Sequence, residues 1–198
     1  FNEDHEGIRE MAKDFAEKTL APIAGEIDKT EAFPMDVVKT MADMGFLGLK
    51  IPEEYGGLGL DMRSYVCVME EIAKKCATAT LFISSANSLS TAPIVISGTP
   101  EQKEKYLPGV AAGESLIAFG LTEPNAGSDA ASMTTRAVED GDSYILNGRK
   151  CFISGAPLAD YCIVYAKTDM TKGNKGISAF MVDMKAPGVA CGMHEAKM

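Results

Sequence analysis

The residues best suited to hold a ligand lie in Thr122–Asp129, which reads Thr-Glu-Pro-Asn-Ala-Gly-Ser-Asp and follows the apolar run Leu116–Leu121. The hydroxyls of Thr122 and Ser128 and the backbone N–H groups around Gly127 could hold the polar edge of a ring or a phosphate. An ordinary polar loop between strands would have a similar composition. On local chemistry alone, that simpler interpretation is favoured.

A second candidate is the tripeptide Phe152-Ile153-Ser154, within the β-prone run Cys151–Ser154. Alternation along a strand would place Phe152 and Ser154 on one face, where a ring and a hydroxyl could stack on and hydrogen-bond to a flat ligand. A strand with a single core phenylalanine explains the same residues. Without other information, that explanation is the better one.

Other chemistry-bearing residues lack the spacing that known sites require. Gly56-Gly57-Leu58-Gly59 is not the dinucleotide-binding pattern G-x-G-x-x-G and does not join a strand to a helix. Glu70 and Glu71 would diverge by about 100° on a helix, which favours a solvated helix face over paired acid–base chemistry. The five cysteines show no Cys-x-x-Cys pattern and the two histidines lie at opposite ends, so neither a disulfide framework nor a zinc site is predicted.

Charge and hydropathy exclude several classes of partner. The 198 residues contain 19 Lys+Arg and 28 Asp+Glu, a net charge of −9 that argues against nucleic acid and anionic membranes. The most apolar stretch, Ala77–Ile96, is interrupted by serine, threonine and asparagine residues and is expected to be a buried helix rather than a membrane span. The cysteine usage and the absence of a signal-like segment indicate a cytoplasmic protein.

Helices are predicted for the first half of the chain. Asp61 is placed to cap one helix, and Thr99-Pro100-Glu101-Gln102 combines an N-cap, a first-turn proline and a capping-box glutamine. An amphipathic stripe near the N-terminus has the spacing i, i+3, i+4, i+7. Its members are Ile8, Met11, Ala12 and Phe15.

Short strands are predicted after residues 113–116. Turn signals separate them at Gly141-Asp142 and at Asn147-Gly148, the second of which favours a type I′ hairpin turn. We therefore expect an α+β chain with a helical domain over residues 1–114 and an antiparallel β-barrel or sandwich domain over residues 115–198. The β-prone runs are Ser115–Leu121, Thr134–Glu139, Tyr144–Leu146, Cys151–Ser154, Tyr161–Lys167 and Ile177–Met184.

Four stretches of the chain form a recognisable set: Ile8–Ala16 with Ala21-Pro22, Met44–Leu49 leading into Pro52–Gly57, Phe119–Asp129, and Leu146–Ser154. Taken together, they closely resemble the acyl-CoA dehydrogenase flavoprotein family. They follow the expected order and spacing over essentially the whole chain, and the third is the most diagnostic. The family commonly has Trp-x-Thr at Phe152-Ile153-Ser154, and this chain keeps an aromatic ring and a hydroxyl there.

The resemblance implies FAD held against the β domain, with Phe152 packed on the ring and the Ser154 hydroxyl reaching flavin N5. Donors near Leu121 and Thr122 would face the pyrimidine edge of the ring. Ser128 would also touch the CoA arm of the substrate, and Thr91 would line the acyl pocket. The implied cofactor-binding residues are Phe119, Leu121, Thr122, Gly127, Ser128, Phe152, Ile153 and Ser154.

The implied reaction is α,β-dehydrogenation of an acyl-CoA thioester, with hydride transfer to flavin N5 and reoxidation by an electron-transferring flavoprotein. The family's catalytic glutamate belongs to a C-terminal helical bundle expected beyond Met198, so no catalytic residue is assigned. The 198-residue chain alone is expected to be an inactive fragment. The whole protein is expected to be a homo-oligomer, a dimer or a tetramer.

Two other functions fit the same residues. A non-catalytic module could retain the flavin and acyl-CoA half-site, or serve assembly, without turnover. An oxidase-type relative could keep the FAD site and pass electrons to oxygen.

Overall fold

The protein is described by a computed structural model that covers residues 1–193. The chain divides into two compact units, Phe1–Leu116 and Ile117–Met198. The first unit is helical and the second is built on a β-sheet, which confirms the predicted fold class.

The helical unit contains seven α-helices, three of which begin at a side-chain N-cap. Asp61 accepts from the Ser64 N–H at 2.9 Å, and Thr99 forms the predicted reciprocal capping box with Gln102. Asn2 and His5 make a second such box that the sequence analysis did not predict. The helices are α1 Glu3–Phe15, α2 Ala24–Thr30, α3 Met35–Asp43, α4 Met62–Ala73, α5 Ala77–Ser84, α6 Ala92–Ser97 and α7 Pro100–Ala111.

The predicted stripe on α1 is only partly buried. Ala12 and Phe15 are buried, whereas Met11 is 38% exposed. The buried face of α1 includes His5, whose Nε2 lies 3.2 Å from the carboxylate of Asp61 at the start of α4. A polar residue therefore occupies a position on the buried face, which apolar periodicity does not detect.

An ion-pair cluster links α1 to α4 and corrects the interpretation of Glu71, but not of Glu70, as part of a solvated face. Arg9 Nη1 lies 2.6 Å from Glu70 Oε2 and 3.0 Å from Glu71 Oε1, and Glu71 is only 7% exposed. Lys74 lies 2.8 Å from Glu71 and, together with Arg9, holds the pKa of that carboxyl below its ordinary value. The prediction is confirmed for Glu70, whose side chain is 51% exposed, and wrong for Glu71, which is buried against an arginine from another helix.

The apolar stretch 77–97 is helical but not a single buried α-helix. A π-helical turn, Ser85–Leu89, separates α5 from α6, where Asn87, Ser88 and Thr91 bond to backbone carbonyls four or five residues earlier. One face is buried, whereas Leu81, Leu89 and Ile96 are exposed at 55%, 48% and 79%. By length and composition alone, Ala77–Ser97 could cross a membrane, a test that core helices of soluble proteins also pass.

The second unit contains one five-stranded sheet, with β4 at its centre. Strand β4 pairs with β1 and, at one residue pair, with β2 in parallel, and with β5 in antiparallel fashion. The antiparallel hairpin β2–β3 extends the sheet. The strands are β1 Ile117–Gly120, β2 Arg136–Asp140, β3 Ser143–Asn147, β4 Tyr161–Lys167 and β5 Ile177–Asp183.

The sheet is therefore mixed, which corrects the prediction of an antiparallel arrangement. Ile117 pairs with Tyr161, 44 positions later, and so long a connection can return the chain in either direction. Turn signals describe hairpins between neighbouring strands, so they do not indicate how β1 pairs with β4. In the described residues all five strands belong to one hydrogen-bonded sheet.

The two turn signals have different roles in the structure. Gly141, with φ +59°, forms the tip of the β2–β3 hairpin. Asn147 instead ends β3, and Gly148 is not among the residues with positive φ, so the predicted Asn147-Gly148 hairpin turn is wrong. A β-carbon on Gly148 would lie 2.6 Å from Cβ of Thr135, and close packing explains this glycine.

Candidate functional site

The loop after β1 begins with a tight turn over residues 123–126. The N–H of Glu123 donates to the carbonyl of Ala126 at 3.0 Å, and the N–H of Ala126 donates back at 3.1 Å. Pro124 and Asn125 occupy the two central positions, residue types that favour such turns. The turn places Gly127 and Ser128 directly after a buried Ala126, with both residues exposed.

The second predicted segment lies beside this loop. The Cys151 N–H donates to the Thr122 carbonyl at 3.0 Å, and Lys150 Nζ donates to the Leu121 carbonyl at 3.0 Å. Two neighbouring residues of one segment thus hold two neighbouring residues of the other. The structure brings the stretches around Thr122 and around Phe152 together.

Residues 151–154 are not a strand, which corrects the argument that alternation places Phe152 and Ser154 on one face. Beyond Asn147 the chain leaves the hairpin, and the Cys151 N–H donates to the Thr122 carbonyl rather than to a neighbouring strand. Phe152 has φ +56° and is 63% exposed. A bulky residue in the left-handed region costs of order 1–3 kcal/mol, and such conformations concentrate at functional sites.

Three predicted ligand-binding hydroxyls remain available. Within residues 1–193, the hydroxyls of Thr122, Ser128 and Ser154 have no hydrogen-bond partner in the protein. By contrast, the Ser132 hydroxyl in the same region donates to the carbonyl of Asp129 at 2.8 Å. The donor set fits a ligand with several polar edge atoms, such as a flavin.

The open space beside Gly127 is a second feature that fits a bound ligand. Its φ is not positive, and nothing lies within 4 Å of the place that a β-carbon would occupy. The described fold therefore gives no internal reason for glycine at this position. Close approach of a flat ligand to the backbone would be such a reason.

The apolar part of the predicted site is formed by half-buried residues. Phe119 lies on β1, and its ring centroid is 5.2 Å from that of Tyr165 on β4. Leu121 and Ile153 are also half-buried and lie in the two segments that the Cys151–Thr122 bond joins.

Glu123 is a buried acidic residue in this region, and the sequence analysis assigned no role to it. It is 4% exposed, and its carboxylate accepts four hydrogen bonds. Oε2 accepts from the Thr134 N–H at 2.6 Å and its hydroxyl at 2.8 Å, and Oε1 accepts from the Thr135 N–H at 3.0 Å and Lys150 Nζ at 2.8 Å.

Burial acts to raise the pKa of Glu123, but Lys150 and the donors of Thr134 and Thr135 outweigh it and lower the pKa to about 2. A carboxylate with so low a pKa and all its acceptor positions occupied is unsuited to abstract a substrate proton. Glu123 therefore has a structural role, because its hydrogen bonds fix Thr134, Thr135 and Lys150 relative to the loop after β1. No local signal identifies this role, because its cationic partner is 27 positions away.

Thr91, the predicted acyl-pocket residue, lies in the helical unit. It is 2% exposed, and its hydroxyl donates to the Ala86 carbonyl at 2.6 Å. Neighbouring Asn87 is also buried, with bonds to the Phe46 and Ile83 carbonyls and from the Lys50 N–H. Both side chains use their polar groups within the helical unit.

Comparison with known proteins gives the family to which this fold and these two joined segments belong. Residues 2–114 match the acyl-CoA dehydrogenase N-terminal domain, and residues 118–198 match the acyl-CoA dehydrogenase middle domain. The chain belongs to the acyl-CoA dehydrogenase family.

Two curated relatives and one solved structure refine the comparison. The chain is 56% identical to 3-(aryl)acrylate reductase of Clostridium sporogenes and 51% identical to the caffeyl-CoA reductase–Etf complex subunit CarC of Acetobacterium woodii. All of the chain is covered in both cases, but it spans only 52% of each relative. It also matches 47% of a Mycobacterium smegmatis glutaryl-CoA dehydrogenase solved with FADH2, at TM-score 0.89 and 34% identity over 95% of this chain.

Proposed function

We propose that the protein is an FAD-dependent oxidoreductase that catalyses α,β-dehydrogenation of acyl-CoA thioesters. The observation that carries the proposal is the Cys151–Thr122 hydrogen bond of 3.0 Å, which joins the two segments expected to hold the flavin. Family membership supports the same class of chemistry. The solved relative with FADH2 supports the cofactor.

Each predicted residue has a binding task in this proposal. The Thr122 and Ser128 hydroxyls and the backbone at Gly127 hold polar atoms, while Phe152 covers the ring and the Ser154 hydroxyl donates to its reacting edge. Bound FAD supplies a two-electron acceptor for the hydride that leaves the β-carbon of the substrate. Donors fixed in advance stabilise the charge that builds up on the reduced ring.

The catalytic base is not assigned to any described residue. Removal of the α-proton needs a carboxylate that can accept it, and Glu123 has no free acceptor position. In the proposed protein, the base comes from another part of the polypeptide. By itself, the 198-residue chain would bind ligands without turnover.

The proposed partners are an acyl-CoA substrate, an electron-transferring flavoprotein that reoxidises the flavin, and further copies of the protein in a dimer or tetramer. The name of the A. woodii relative, which includes an Etf complex, supports the electron-transfer partner. We propose a cytoplasmic location, because the five cysteines do not have the spacing of a disulfide framework.

A second candidate function is the same reaction in the reductive direction on an aryl-substituted acrylyl thioester. The names of the relatives at 56% and 51% identity favour it, since both are reductases. In this direction the β-carbon receives a hydride and the α-carbon a proton, while the two electrons come from the electron-transferring flavoprotein.

The decisive experiment uses the native full-length protein purified with added FAD. We expect a yellow protein that is bleached anaerobically by a saturated acyl-CoA, with one enoyl-CoA formed per flavin reduced. An aryl-propionyl-CoA that reduces the flavin faster than a straight-chain acyl-CoA would favour the second candidate. A protein that retains no flavin would refute both functions.

Two matched serine substitutions test the site. Ser154→Ala removes a hydroxyl without a protein partner and should shift the flavin reduction potential, because it removes a donor to the ring. Ser143→Ala, on the exposed hairpin strand β3, should leave the potential unchanged. Equal potentials in native protein and Ser154→Ala would remove Ser154 from the site.

A further inference from the structure

We infer that the Glu123–Lys150 ion pair is a positioning device that fixes the distance between the two flavin-binding segments. The inference rests on the proposed function, since it assigns a role in cofactor binding to two residues whose polar groups are engaged with the protein itself. Glu123 and Lys150 are therefore positioning residues rather than catalytic residues.

Lys150 and its neighbour hold three consecutive residues of the other segment. Lys150 Nζ lies 3.0 Å from the Leu121 carbonyl and 2.8 Å from Glu123 Oε1, and the Cys151 N–H donates to the Thr122 carbonyl at 3.0 Å. The side chain of Lys150 is 11% exposed and that of Glu123 is 3% exposed. Water therefore screens this pair weakly, so its geometry is more rigid than that of a surface ion pair.

Glu123 also connects these two segments to the chain that enters β2. Its Oε2 holds both the N–H and the hydroxyl of Thr134, and its Oε1 holds the N–H of Thr135. One carboxylate thus connects the loop after β1, the chain entering β2 and the segment after β3. A change at Glu123 or Lys150 alters the spacing between Thr122 and Ser154, whose hydroxyls have to reach one rigid ring.

A purely structural ion pair and a positioning pair make different predictions. Loss of a structural pair lowers the melting temperature but leaves the properties of bound flavin unchanged. Loss of a positioning pair also weakens FAD binding and changes the reduction potential, since donors to the ring are displaced.

The first test compares FAD dissociation constants in the native full-length protein and in Lys150→Met, well below the melting temperature of either. We expect roughly tenfold weaker binding, the equivalent of one hydrogen bond to a charged group. Lys172→Met is the control, because it removes an exposed ion pair with Asp169 in the same unit. It should bind FAD as the native protein does.

The double variant Glu123→Gln/Lys150→Met separates stability from positioning. It leaves no unpaired charge, so its melting temperature should recover relative to Lys150→Met, while FAD binding stays weak and the flavin potential stays shifted. Recovery of native FAD affinity together with the melting temperature would show that the pair serves stability alone and overturn the inference.

A mild variant keeps the test informative if Lys150→Met does not fold. Thr134→Val removes one of four donors to Glu123 from an exposed position, so the fold should persist. We expect a measurable loss of FAD affinity, and a folded Thr134→Val with native affinity and potential would count against the inference. If the native protein itself binds no FAD, the proposed function fails instead.

Discussion

The side chain of Thr135 occupies the space that a β-carbon at Gly148 would need. The two β-carbons would be 2.6 Å apart, well inside van der Waals contact. Thr135 is 3% exposed, and its N–H and that of Thr134 donate to Glu123, so the contact with Gly148 lies directly beside the hydrogen bonds of this carboxylate.

Gly148→Ala should therefore destabilise the protein by about 1–3 kcal/mol through overpacking. Denaturant-induced unfolding monitored by far-UV circular dichroism measures the change. An unaltered midpoint would show that Thr135 can rotate away at little cost.

Gly127→Ala should behave in the opposite way. With no atom within 4 Å and no positive φ, the added methyl should change the free energy of unfolding by less than about 0.5 kcal/mol. FAD titration should nevertheless show weaker binding, because the methyl would stand between the backbone and the ring. Native affinity in this variant would place the cofactor elsewhere.

The acid sensitivity of Glu123 provides a third prediction. Its pKa in the folded protein is about 2, below the ordinary value of 4.5, so its stabilising contribution is fully present above about pH 4.5 and disappears as the pH falls towards 2. This contribution amounts to roughly 3 kcal/mol. Hydrogen bonds from Ser64 and from Thr171 also lower the pKa values of Asp61 and Asp169 to about 2. These two carboxylates therefore lose their contributions to the free energy of unfolding over a similar pH range.

Comparison of native protein with Glu123→Gln isolates the contribution of Glu123. The difference in free energy of unfolding between the two proteins should be largest near neutral pH and shrink steadily below pH 4.5. Curves that run parallel down to pH 2 would mean that Glu123 has an ordinary pKa in the folded state.

Asn87→Ala should cost about 2–4 kcal/mol, because it leaves the buried carbonyl of Phe46 and the N–H of Lys50 without their partner. Ser88→Ala, one position along, removes contacts of a half-buried hydroxyl with the Ser84 carbonyl and hydroxyl and should cost much less. Thermal melts of the two variants test the difference. If Asn87→Ala is stable but accepts altered acyl chains, its main role is in the substrate pocket.

Local patterns predicted much of this fold. The capping box at Thr99 and Gln102 is confirmed, as are the strands around residues 117–120 and 136–147, because caps and alternation depend on neighbours in the chain. Strand β4 was predicted over the same residues, Tyr161–Lys167, that it occupies.

The incorrect predictions involve partners distant in the chain. The parallel pairing of Ile117 with Tyr161, the burial of Glu71 under Arg9 and the irregular path of Phe152 depend on residues dozens of positions away. Periodicity contains no information about such partners. For the same reason, Glu123 could be recognised as an unsuitable base only after its four donors were seen.

The register of the β2–β3 hairpin has a consequence for where the chain can change length. Pairing continues from Asp140↔Ser143 to Arg136↔Asn147, and only residues 148–150 then separate the hairpin from Cys151. Extra residues at the exposed tip around Gly141 would lengthen a surface loop and leave everything below it where it was. A single insertion or deletion among residues 148–150 would shift Lys150 and Cys151 relative to Leu121 and Thr122 and break the bonds between them, so the length of this short connection is fixed.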